Sequence, residues 1–446
     1  MRITFIRPNM YDDRSSDAME PLCFAILKSL TPAEYEVSFF DERLEAIPFD
    51  LSTDLVALTV ETYTARRAYQ IADRFRERGI PVVMGGYHPT FLPEETLQHA
   101  DAIVQGDAEG VWKQLLHDAE HDALQPVYSS PSFPDLAGYM PDRSIFDGKK
   151  YAPMGLVQYG RGCKFNCSFC SITAFYGNSL RQRPVDEVVE DIRRSGRRHI
   201  FIVDDNLFVS ARKARELFEA LVPLNVAWSC QVSIDVARDP DLVRLMARSG
   251  CISALIGFES LDPASLREIR KGWNVKWQSY DEAVDVFRQA GIMLYGTFVF
   301  GCDNDTPEAF AKSLEFARRN KFMLANFNPL TPTPGAPLFD RMRDEGRLLH
   351  ERWWLDPDFS YGDATLRPKK MSPRQLTDGC FTARREFNTA RSILHRLFDR
   401  HSNFRSLYRA GVFLIANLIS RREIYRKQDR PLGSGPGEEH LAERAA

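Results

Sequence analysis

The sequence predicts an α/β protein with two consecutive sets of βα repeats and a C-terminal helical extension. Three observations support this prediction. Short runs rich in Val, Ile, Leu and Phe alternate with amphipathic helical stretches, which is typical of parallel sheets covered by helices. A proline-rich stretch interrupts the alternation, which then resumes. Beyond the second set, helical periodicity continues without strand patterns. The length of 446 residues is sufficient for two or three domains.

The first set of repeats, over residues 1–121, predicts a doubly wound parallel sheet of the Rossmann-like type. Its strands are expected at Arg2–Arg7, Glu36–Asp41, Asp54–Val60, Pro81–Gly85 and Ala102–Gln105. The clearest helix between them is Ala65–Arg78. Ligands of such sheets bind at the carboxyl ends of the strands. Gly85, Gly86 and Gly106 lie at two of these ends, where they allow a ligand to approach the backbone.

Residues 122–151 are predicted to be a linker, because prolines at positions 126, 131, 134 and 141 interrupt the pattern. Residues 152–345 then predict an open, partial (β/α)6 barrel, since six repeats are too few for a closed eight-stranded barrel. Its strands are expected at Gly155–Tyr159, His199–Val203, Ala227–Val232, Ile252–Gly257, Met293–Phe300 and Leu324–Pro329. Its helices are expected at Val185–Ser195, Arg212–Val222, Pro240–Ser249, Tyr280–Ala290 and Pro307–Arg319.

Two regions follow the barrel. Residues 346–430 are predicted to be helical, mainly over Gln375–Arg400 and Phe404–Lys427. Residues 431–446, which include a Gly-Ser-Gly-Pro-Gly run, are predicted to form a disordered tail. The second helical stretch contains a dense apolar run over 412–419, followed by four basic residues within 421–427. This pattern fits contact with a membrane surface or a lipophilic substrate, or alternatively packing on the barrel, which we favour.

Composition narrows the classes of protein to consider. Hydrophobic residues make up 44% of the chain and charged residues 27%, as in ordinary globular proteins. The formal net charge of −3 gives no indication of a nucleic-acid partner. The first residues fit a strand rather than a signal peptide, and no apolar run approaches the roughly 18 residues that a membrane span needs. Eight cysteines show no paired framework, so we expect a cytoplasmic protein without disulfides.

One short loop carries the strongest chemical signal in the chain. Cys163, Cys167 and Cys170 form a C-x3-C-x2-C motif directly after the first barrel strand, at the end of a barrel where active sites lie. A [4Fe–4S] cluster that only carries electrons usually has four cysteine ligands, so three ligands leave one iron free to bind a reactive molecule. The alternative is a zinc site, but zinc usually requires a fourth Cys or His, and no second ligand pair follows nearby. We therefore assign these cysteines as catalytic metal ligands.

The cysteine loop resembles the cluster loop of the radical S-adenosylmethionine (SAM) superfamily. The first domain resembles a cobalamin-binding domain, chiefly in Met84–Thr90 and Gly106–Gly110. Together these features resemble the cobalamin-binding radical SAM family that includes hopanoid C-2 methylase, P-methylase and the anaerobic magnesium-protoporphyrin ester cyclase. The resemblance implies a [4Fe–4S] cluster, SAM and cobalamin as cofactors. The motif Asp-x-His-x-x-Gly is absent from the sequence, which fits the family's base-off cobalamin without a histidine below cobalt.

The resemblance also implies which side chains contact SAM. The implied residues are Phe169, Asp204, Asp205, Asn206, Gln231, Ser233, Asp235, Gly257 and Glu259. Residues 204–206 end the second barrel strand, where a carboxylate can pair with the SAM ammonium group, although a helix N-cap is the alternative. Residues 231–235 end the third strand, near the expected ribose hydroxyls, with an ordinary turn as the alternative. For Glu259 the alternative is a structural ion pair, and Phe169 matches an aromatic position near adenine.

Cobalamin is implied to lie along the strand ends of the first domain. The implied residues are Asn9, Thr59, Glu61, Thr62, Tyr63, Gly85, Gly86, Tyr87, His88, Gly106 and Glu109. A degenerate domain that binds no cobalamin would have nearly the same sequence, and this alternative stays open.

The implied function is methyl transfer to an unactivated carbon or phosphorus of a small metabolite, through a 5′-deoxyadenosyl radical and methylcobalamin. The C-terminal apolar run is the one hint that the substrate is lipophilic. An external one-electron reductant of the flavodoxin or ferredoxin type is implied as well. One alternative is a cyclase, oxidase or rearrangement enzyme without methyl transfer, and another is a catalytically silent cluster-binding partner protein. Tyr295–Gly301 and Asn328–Gly335 are candidate walls of the substrate pocket, although packing alone explains them equally well.

Overall fold

The computed structural model describes residues 1–11, 13–15, 17–177, 179–276 and 280–433. These residues divide into two compact units. The first unit comprises Met1–Leu156, Arg352–Ser360 and the described residues from Arg430 onward. The second unit comprises Val157–Glu351 and Tyr361–Asp429. None of the helices within the described ranges has the length and hydropathy that crossing a membrane requires.

The first unit is a parallel six-stranded sheet flanked by helices, which confirms the predicted α/β fold. The strands are β1 (Arg2–Arg7), β2 (Glu36–Asp41), β3 (Leu55–Thr59), β4 (Val82–Gly85), β5 (Ala102–Gln105) and β6 (Val127–Ser129). They are arranged in the order β2-β1-β3-β4-β5-β6. The helices are α1 (Leu22–Leu30), α2 (Ala65–Arg76), α3 (Tyr87–Phe91), α4 (Pro93–Thr96) and α5 (Trp112–Glu120). The central strands are buried on both faces because helices cover both sides of the sheet, which explains their nearly uninterrupted apolar sequence.

Two features of the first unit differ from the sequence-based expectation. The predicted linker contains β6, whose three residues are too short a run to produce a recognisable strand pattern. The segment Arg352–Ser360, predicted to belong to the C-terminal helical region, packs with the first unit. Trp353 is fully buried, and its ring centroid lies 4.8 Å from that of Tyr63. Nothing local in the sequence of this segment indicates that it returns to an earlier domain.

The second unit contains a six-stranded sheet in the order β14-β13-β12-β11-β10-β7, as the predicted partial barrel requires. The strands, including a short antiparallel pair β8–β9, are β7 (Gly155–Val157), β8 (Gly160–Arg161), β9 (Arg181–Gln182), β10 (His199–Ile202), β11 (Ala227–Gln231), β12 (Cys251–Glu259), β13 (Met293–Phe300) and β14 (Leu324–Pro329). The helices are α6 (Ser171–Tyr176), α7 (Val185–Ser195), α8 (Ala211–Leu221), α9 (Pro240–Arg248), α10 (Pro263–Glu268), α11 (Tyr280–Ala290), α12 (Glu308–Arg319), α13 (Pro337–Asp344), α14 (Pro373–Phe387), α15 (Ala390–Leu397) and α16 (Leu407–Lys427). Short 3-10 turns lie at 62–64, 108–110, 143–146, 222–224, 234–238 and 272–276.

Alternating burial along β13 separates a core face from an inner face. Leu294, Phe298 and Phe300 are buried, whereas Tyr295, Thr297 and Val299 are partly exposed. The buried face packs against the outer helices, where Phe298 lies 6.3 Å from Phe316 of α12 between ring centroids. Burial of each such ring contributes roughly 1.5–3 kcal/mol. The opposite face of β13 therefore lines the inside of the barrel, because successive side chains of a strand point to opposite faces.

The C-terminal helices pack across the amino-terminal ends of the barrel strands. Phe413 of α16 is fully buried in a cluster with Ile252, Met293 and Met323, which lie at or just before the starts of three strands. The side-chain amide of Asn417 donates to the carbonyl of Met323 at 3.0 Å. The predicted helix over Gln375–Arg400 is divided into α14 and α15 by residues 388–389. Of the predicted disordered tail, residues 434–446 lie outside the described residues, and Leu432 is buried.

A fully buried arginine holds these helices to the sheet. Arg396 donates to the carbonyls of Phe322, Met323 and Phe387 and to Oδ1 of Asn417, at 2.7–2.9 Å. All four acceptors are neutral oxygens. Because burial disfavours its charge, the pKa of Arg396 falls to about 9. One side chain therefore joins the entry to β14, the end of α14 and the middle of α16.

We expect Arg396→Met to destabilise the protein, because it leaves several buried acceptors unpaired at about 1–3 kcal/mol each. The urea midpoint of unfolding, followed by circular dichroism, should fall clearly. Arg400→Met, at an exposed position on the same segment, is the matched control and should change stability by less than about 0.5 kcal/mol. Equal midpoints for the two variants would contradict the role assigned to Arg396.

Candidate active site

The three cysteines lie in a loop between β8 and α6, beyond the carboxyl end of β7. All three are free thiols, with Cys167 the most buried. Burial raises the pKa of Cys167 to about 12 and also raises that of Cys163. Ligation of a metal requires the thiolate, so binding iron would release these protons.

A short antiparallel pair closes the base of this loop. Gly160 and Arg161 of β8 pair with Gln182 and Arg181 of β9. Gly162 follows directly with φ +91°, and a Cβ at this position would lie 1.9 Å from the carbonyl oxygen of Ser179. A side chain cannot be accommodated there, because the obstacle is backbone. The close approach of the two chain segments therefore requires glycine immediately before Cys163.

Two consecutive aspartates after β10 bind the backbone of the loop. Oδ1 of Asp204 accepts a hydrogen bond from the N–H of Tyr159 at 2.7 Å. Oδ2 of Asp205 accepts from the N–H of Gly162 at 2.8 Å. Burial raises the pKa of Asp204 to about 7, although the N–H groups of Gly160 and Tyr159 oppose the shift. Both carboxylates hold the chain that leads into Cys163.

Asn206 connects the same strand end to a cysteine. Its Oδ1 accepts hydrogen bonds from the N–H groups of Phe208 at 3.2 Å and Ser233 at 3.0 Å. Its Nδ2 lies 3.8 Å from Sγ of Cys163. Two donors facing Oδ1 fix the orientation of the amide, because the reversed orientation would place NH2 against two N–H groups. The donor end of Asn206 therefore faces a cluster ligand.

Residues at and after the end of β11 also bind the cysteine loop or the residues that hold it. Asp235 forms an ion pair with Lys164 at 2.8 Å and accepts a hydrogen bond from the hydroxyl of Ser233. The ammonium group of Lys164 lies 4.2 Å from the ring centroid of Phe208. Exposed Gln231 donates to the carbonyl of Asp205 at 3.0 Å. Six of the nine predicted SAM residues are therefore bonded to the cluster loop or to one another, and their direct contact with SAM stays a prediction.

Glu259 forms a structural ion pair, which the sequence analysis gave as the alternative to contact with SAM. Its Oε1 lies 2.8 Å from Nζ of Lys271, and both side chains are buried. Glu259 has φ +62° at an irregularity between β12 and β13. A Cβ on Gly257 would lie 2.2 Å from Oε1 of Glu259 and 2.7 Å from Nζ of Lys271. The Gly-x-Glu motif thus leaves room for a buried ion pair beside the last residues of β12.

Lys271 is a site residue that the sequence analysis missed. Burial alone would lower its pKa, but the charges of Glu259 and Cys167 outweigh burial and raise it. Lys271 in turn opposes the increase in the pKa of Cys167. It therefore places a positive charge next to the cysteine loop. The sequence contains only a weak indication of this role, because Lys271 is one lysine among the charged residues that follow α10.

Apolar contacts hold the other side of the loop. Phe165 stacks on Trp273 with ring centroids 3.7 Å apart and planes inclined by 8°. Phe169 packs with an apolar cluster that includes Ile269 and Leu338. The backbone of Ser168 donates to the carbonyl of Ile269 at 3.0 Å and accepts from the N–H of Leu338 at 2.8 Å. The loop is therefore held on both sides, with the three thiols between.

The loop fits a [4Fe–4S] cluster on the chemistry of its donors. Among the described residues, three buried polar atoms near the loop have no hydrogen-bond partner, namely Ser168 Oγ, Trp273 Nε1 and Asn274 Oδ1. Such groups cost about 1–3 kcal/mol when unpaired, so partners from a bound group would relieve them. Within the described ranges, no three Cys, His, Asp or Glu side chains converge on one metal ion. In a cubane cluster each cysteine binds a different iron, so its ligands need not converge on one ion.

The predicted cobalamin residues lie along one edge of the first sheet, but they differ in exposure. Thr59 and Gly85 end the neighbouring parallel strands β3 and β4, and Gly106 follows β5. A Cβ on Gly106, where φ is +79°, would meet no atom within 4 Å, so this part of the edge is open to a ligand. At Gly86 the glycine is required by the fold, because a Cβ at this position would lie 2.8 Å from the carbonyl oxygen of Val60. Exposed Glu61 pairs with Arg7 at 3.2 Å.

The structure gives several of the other predicted cobalamin residues partners within the protein. Asn9 and Thr62 are buried, and the side chain of Asn9 donates to the carbonyl of Asp13. Tyr63 packs against Trp353. Tyr87 begins α3 and Glu109 lies in the turn after β5, at the same sheet edge. The open part of this edge therefore fits cobalamin better than its buried parts do.

His88 is fully enclosed by protein. Its Nε2 lies 2.9 Å from the hydroxyl of Tyr69 and 3.2 Å from Oε1 of Glu95. The indole N–H of Trp354 donates to the same oxygen at 2.9 Å. Burial disfavours the charge of Glu95, but hydrogen bonds from His88 and Trp354 outweigh it and lower the pKa of Glu95. This burial argues against the predicted contact between His88 and cobalamin.

Comparison with known proteins identifies the two domains. The model of the radical SAM superfamily matches residues 157–317, and the model of the B12 binding domain matches residues 29–116. A bacteriochlorophyllide d C-12(1)-methyltransferase from Chlorobaculum tepidum is 32% identical over 86% of this chain and 86% of its own length. The chain belongs to the cobalamin-binding radical SAM family. It is thus an enzyme of a family that uses a [4Fe–4S] cluster, SAM and cobalamin.

Two further comparisons extend this result. An anaerobic magnesium-protoporphyrin IX monomethyl ester cyclase from Cereibacter sphaeroides is 26% identical over 92% of this chain and 74% of its own length. The solved structure of the radical SAM methyltransferase TsrM from Kitasatospora setae matches 77% of this chain and 76% of its own, with a TM-score of 0.64 and 16% identity. At this identity the likeness concerns the fold, and it confirms the predicted combination of a sheet domain and a radical SAM barrel.

We expect Asn206→Asp to lower the reduction potential of the reconstituted cluster by a few tens of millivolts. The variant keeps an acceptor for the Phe208 and Ser233 N–H groups but removes the donor to Cys163 and adds negative charge. An EPR-monitored redox titration without SAM measures the shift.

Gln231→Glu is the matched control for added charge, because Gln231 donates to a carbonyl and not to a thiolate. Equal iron content in the two variants and the parent protein establishes that the cluster is present in each. An unchanged potential in Asn206→Asp, or the same shift in both variants, would contradict the hydrogen bond.

Proposed function

We propose that this protein is a cobalamin-dependent radical SAM methyltransferase that methylates an unactivated carbon of a small, lipophilic metabolite. One observation carries the proposal. The cysteine loop and the B12 binding domain occur together in a chain that aligns over 86% of its length with a methyltransferase covered to the same extent. Both domains needed for the chemistry are therefore within the aligned chain.

When bound, the cluster and SAM supply a 5′-deoxyadenosyl radical, and cobalamin supplies a methyl group, which is the chemistry of the family. In this proposal Cys163, Cys167 and Cys170 hold three of the four irons. The carboxylates after β10 hold the loop backbone, and the open part of the first sheet's edge receives cobalamin at Gly85 and Gly106. The loop is then rigid before SAM arrives, which reduces the cost of ordering the site.

Among the predicted SAM residues, Gln231 is the strongest candidate for direct contact. It is exposed at the end of β11, and its side chain retains its carbonyl oxygen for a ligand hydroxyl while the NH2 group is bonded to Asp205. Glu259 and Lys271 lie buried beside the loop, where an ion pair could exchange partners with the charged amino-acid end of SAM. Phe169 is packed with apolar neighbours and is partly exposed.

The inner face of the barrel offers both apolar and polar contacts for a substrate. Thr297 of β13 pairs with Asn326 of β14, and Val299 pairs with Asn328, so these partly exposed side chains are neighbours. The proposal of a lipophilic substrate rests on the relatives, two of which carry tetrapyrrole names. A chlorin or porphyrin is therefore the first substrate class to test. We also propose a flavodoxin- or ferredoxin-type electron donor and a location in the cytoplasm.

A second candidate function is oxidation or cyclisation of a similar substrate without methyl transfer. The observation in its favour is the cyclase relative, which aligns with 92% of this chain. Both functions use the same cluster loop and sheet edge, so only the product distinguishes them.

The test is an anaerobic reaction with hydroxocobalamin, a reductant, SAM labelled in its methyl group, and a panel of chlorins and porphyrins. We expect a labelled, carbon-methylated product together with 5′-deoxyadenosine, because the proposal assigns both cofactor sites to this chain. Mass spectrometry measures both products. An altered but unlabelled product would support the cyclase or oxidase alternative and contradict methyl transfer.

Two variants control this experiment. Replacing Cys163, Cys167 and Cys170 with alanine should abolish iron binding and 5′-deoxyadenosine release. Cys23→Ala, which removes an exposed cysteine of the first unit, should leave both unchanged. Iron binding that survives in the triple variant would contradict the assignment of the cluster loop.

A further inference from the structure

Helix α16 has two apolar faces, and only one of them is covered. On the first face, Ala410 and Phe413 are buried over the starts of the barrel strands. On the second face, Leu407, Ile415, Leu418 and Tyr425 are 85%, 62%, 60% and 55% exposed. At 100° per residue these four positions fall within one stripe of about 80° along the helix. The stripe spans 18 residue steps, which is about 27 Å.

Further apolar side chains are exposed in the segment before the helix. They are Leu394, Phe398 and Phe404, and the rings of Phe398 and Phe404 lie 5.9 Å apart between centroids. Single exposed apolar side chains are common, but an apolar stripe along a whole helix usually marks an interaction site. We define the α16 patch as these three residues together with the stripe on α16.

The charge of this region is opposite to that of the rest of the chain. Residues 390–427 contain nine arginines and lysines and two carboxylates, a net charge of +7 in a chain whose formal net charge is −3. Both carboxylates are buried and paired, Asp399 with Arg288 and Glu423 with Arg426. Arg421 and Arg422 are exposed between Leu418 and Tyr425 on the same face. The α16 patch is thus apolar and bordered by the exposed side chains of Arg421 and Arg422.

We propose that the α16 patch docks on the surface of a bilayer that contains anionic lipids. Apolar side chains flanked by arginines match the boundary between acyl chains and negatively charged headgroups. A second copy of this chain fits less well, because a symmetric dimer would bring the exposed arginines of the two patches close to each other. A nucleic acid would satisfy the arginines but would leave Ile415 and Leu418 against a polar backbone.

The position of the helix determines what such docking does. α16 lies over the amino-terminal ends of the strands, whereas the cysteine loop lies beyond their carboxyl ends. The patch is therefore at the opposite end of the barrel from the catalytic loop. It acts as a tether to the membrane and not as an entrance for a lipophilic substrate. The packing of α16 on the barrel, which the sequence analysis favoured, is present. It covers the face with Ala410 and Phe413 and leaves the second apolar face exposed.

Vesicle flotation with the full-length, cluster-loaded protein tests the proposal. We expect the protein to float with vesicles of 30% phosphatidylglycerol in phosphatidylcholine, at least tenfold more than with pure phosphatidylcholine. Binding should weaken as the salt concentration rises, because added ions screen the arginines. Ile415→Ser combined with Leu418→Ser should reduce flotation at least tenfold, and Arg421→Gln with Arg422→Gln should remove the preference for anionic lipid.

Matched controls keep the result interpretable whether or not the proposed function is correct, since flotation needs no turnover. Val127→Ser, at an exposed position of β6 in the first unit, should float like the parent protein. Iron content and circular dichroism establish that each variant is folded. Absence of flotation, or flotation that the double variants leave unchanged, would overturn the proposal. A concentration-dependent dimer that Ile415→Ser with Leu418→Ser abolishes, seen by analytical ultracentrifugation, would instead assign the patch to a second copy.

Discussion

The hydrogen bonds from the ends of β10 and β11 to the cysteine loop are the interaction on which the site depends. The nine-residue loop that carries the three cysteines has no helix or strand of its own to fix the thiols. Four side chains from these strand ends contact the chain around the first cysteine. Asp204 contacts Tyr159 and Asp205 contacts Gly162. Asn206 contacts Cys163 and Asp235 contacts Lys164. The strand ends thus hold successive points of the chain that leads into the loop. Their geometry comes from the parallel sheet, so the position of the cluster is set by the most rigid part of the barrel.

This arrangement changes the meaning of the acidic strand ends. A carboxylate near a SAM site suggests a partner for the ammonium group, yet the Asp204 carboxylate is buried against backbone N–H groups. The adjacent Asp205 and Asn206 likewise face the loop. The charged pair closest in character to a SAM contact is Glu259 with Lys271, which lies on the other side of the loop and is buried. The acidic residues after β10 therefore hold the loop backbone, whereas Glu259 and Lys271 are the charged residues available to a bound ligand.

Much of the fold could be predicted because each strand and helix has a local signature. The apolar runs gave β1, β2, β5, β13 and β14 with the bounds that the structure has. β6 was missed because three residues between prolines carry no period. The return of Arg352–Ser360 to the first unit was missed because its two tryptophans are anchored by distant residues, Tyr63 and Glu95.

In the site, the cysteines were evident from their spacing. The role of Lys271 was not evident, because it depends on Glu259, which lies twelve positions earlier in the sequence. The burial of His88 could not be predicted either, because its partners come from other parts of the first unit.

In the proposed site, the three cysteines held by the strand ends would leave the fourth iron of the cluster open to SAM. Electron–nuclear double resonance on the reduced, reconstituted cluster tests it most directly, with SAM carrying 14N or 15N in its amino group. We expect a nitrogen coupling that changes with the isotope, because the amino group would bind the fourth iron. A cluster whose spectrum is unaffected by SAM, with no isotope-dependent coupling, would contradict the claim and indicate a fully ligated cluster.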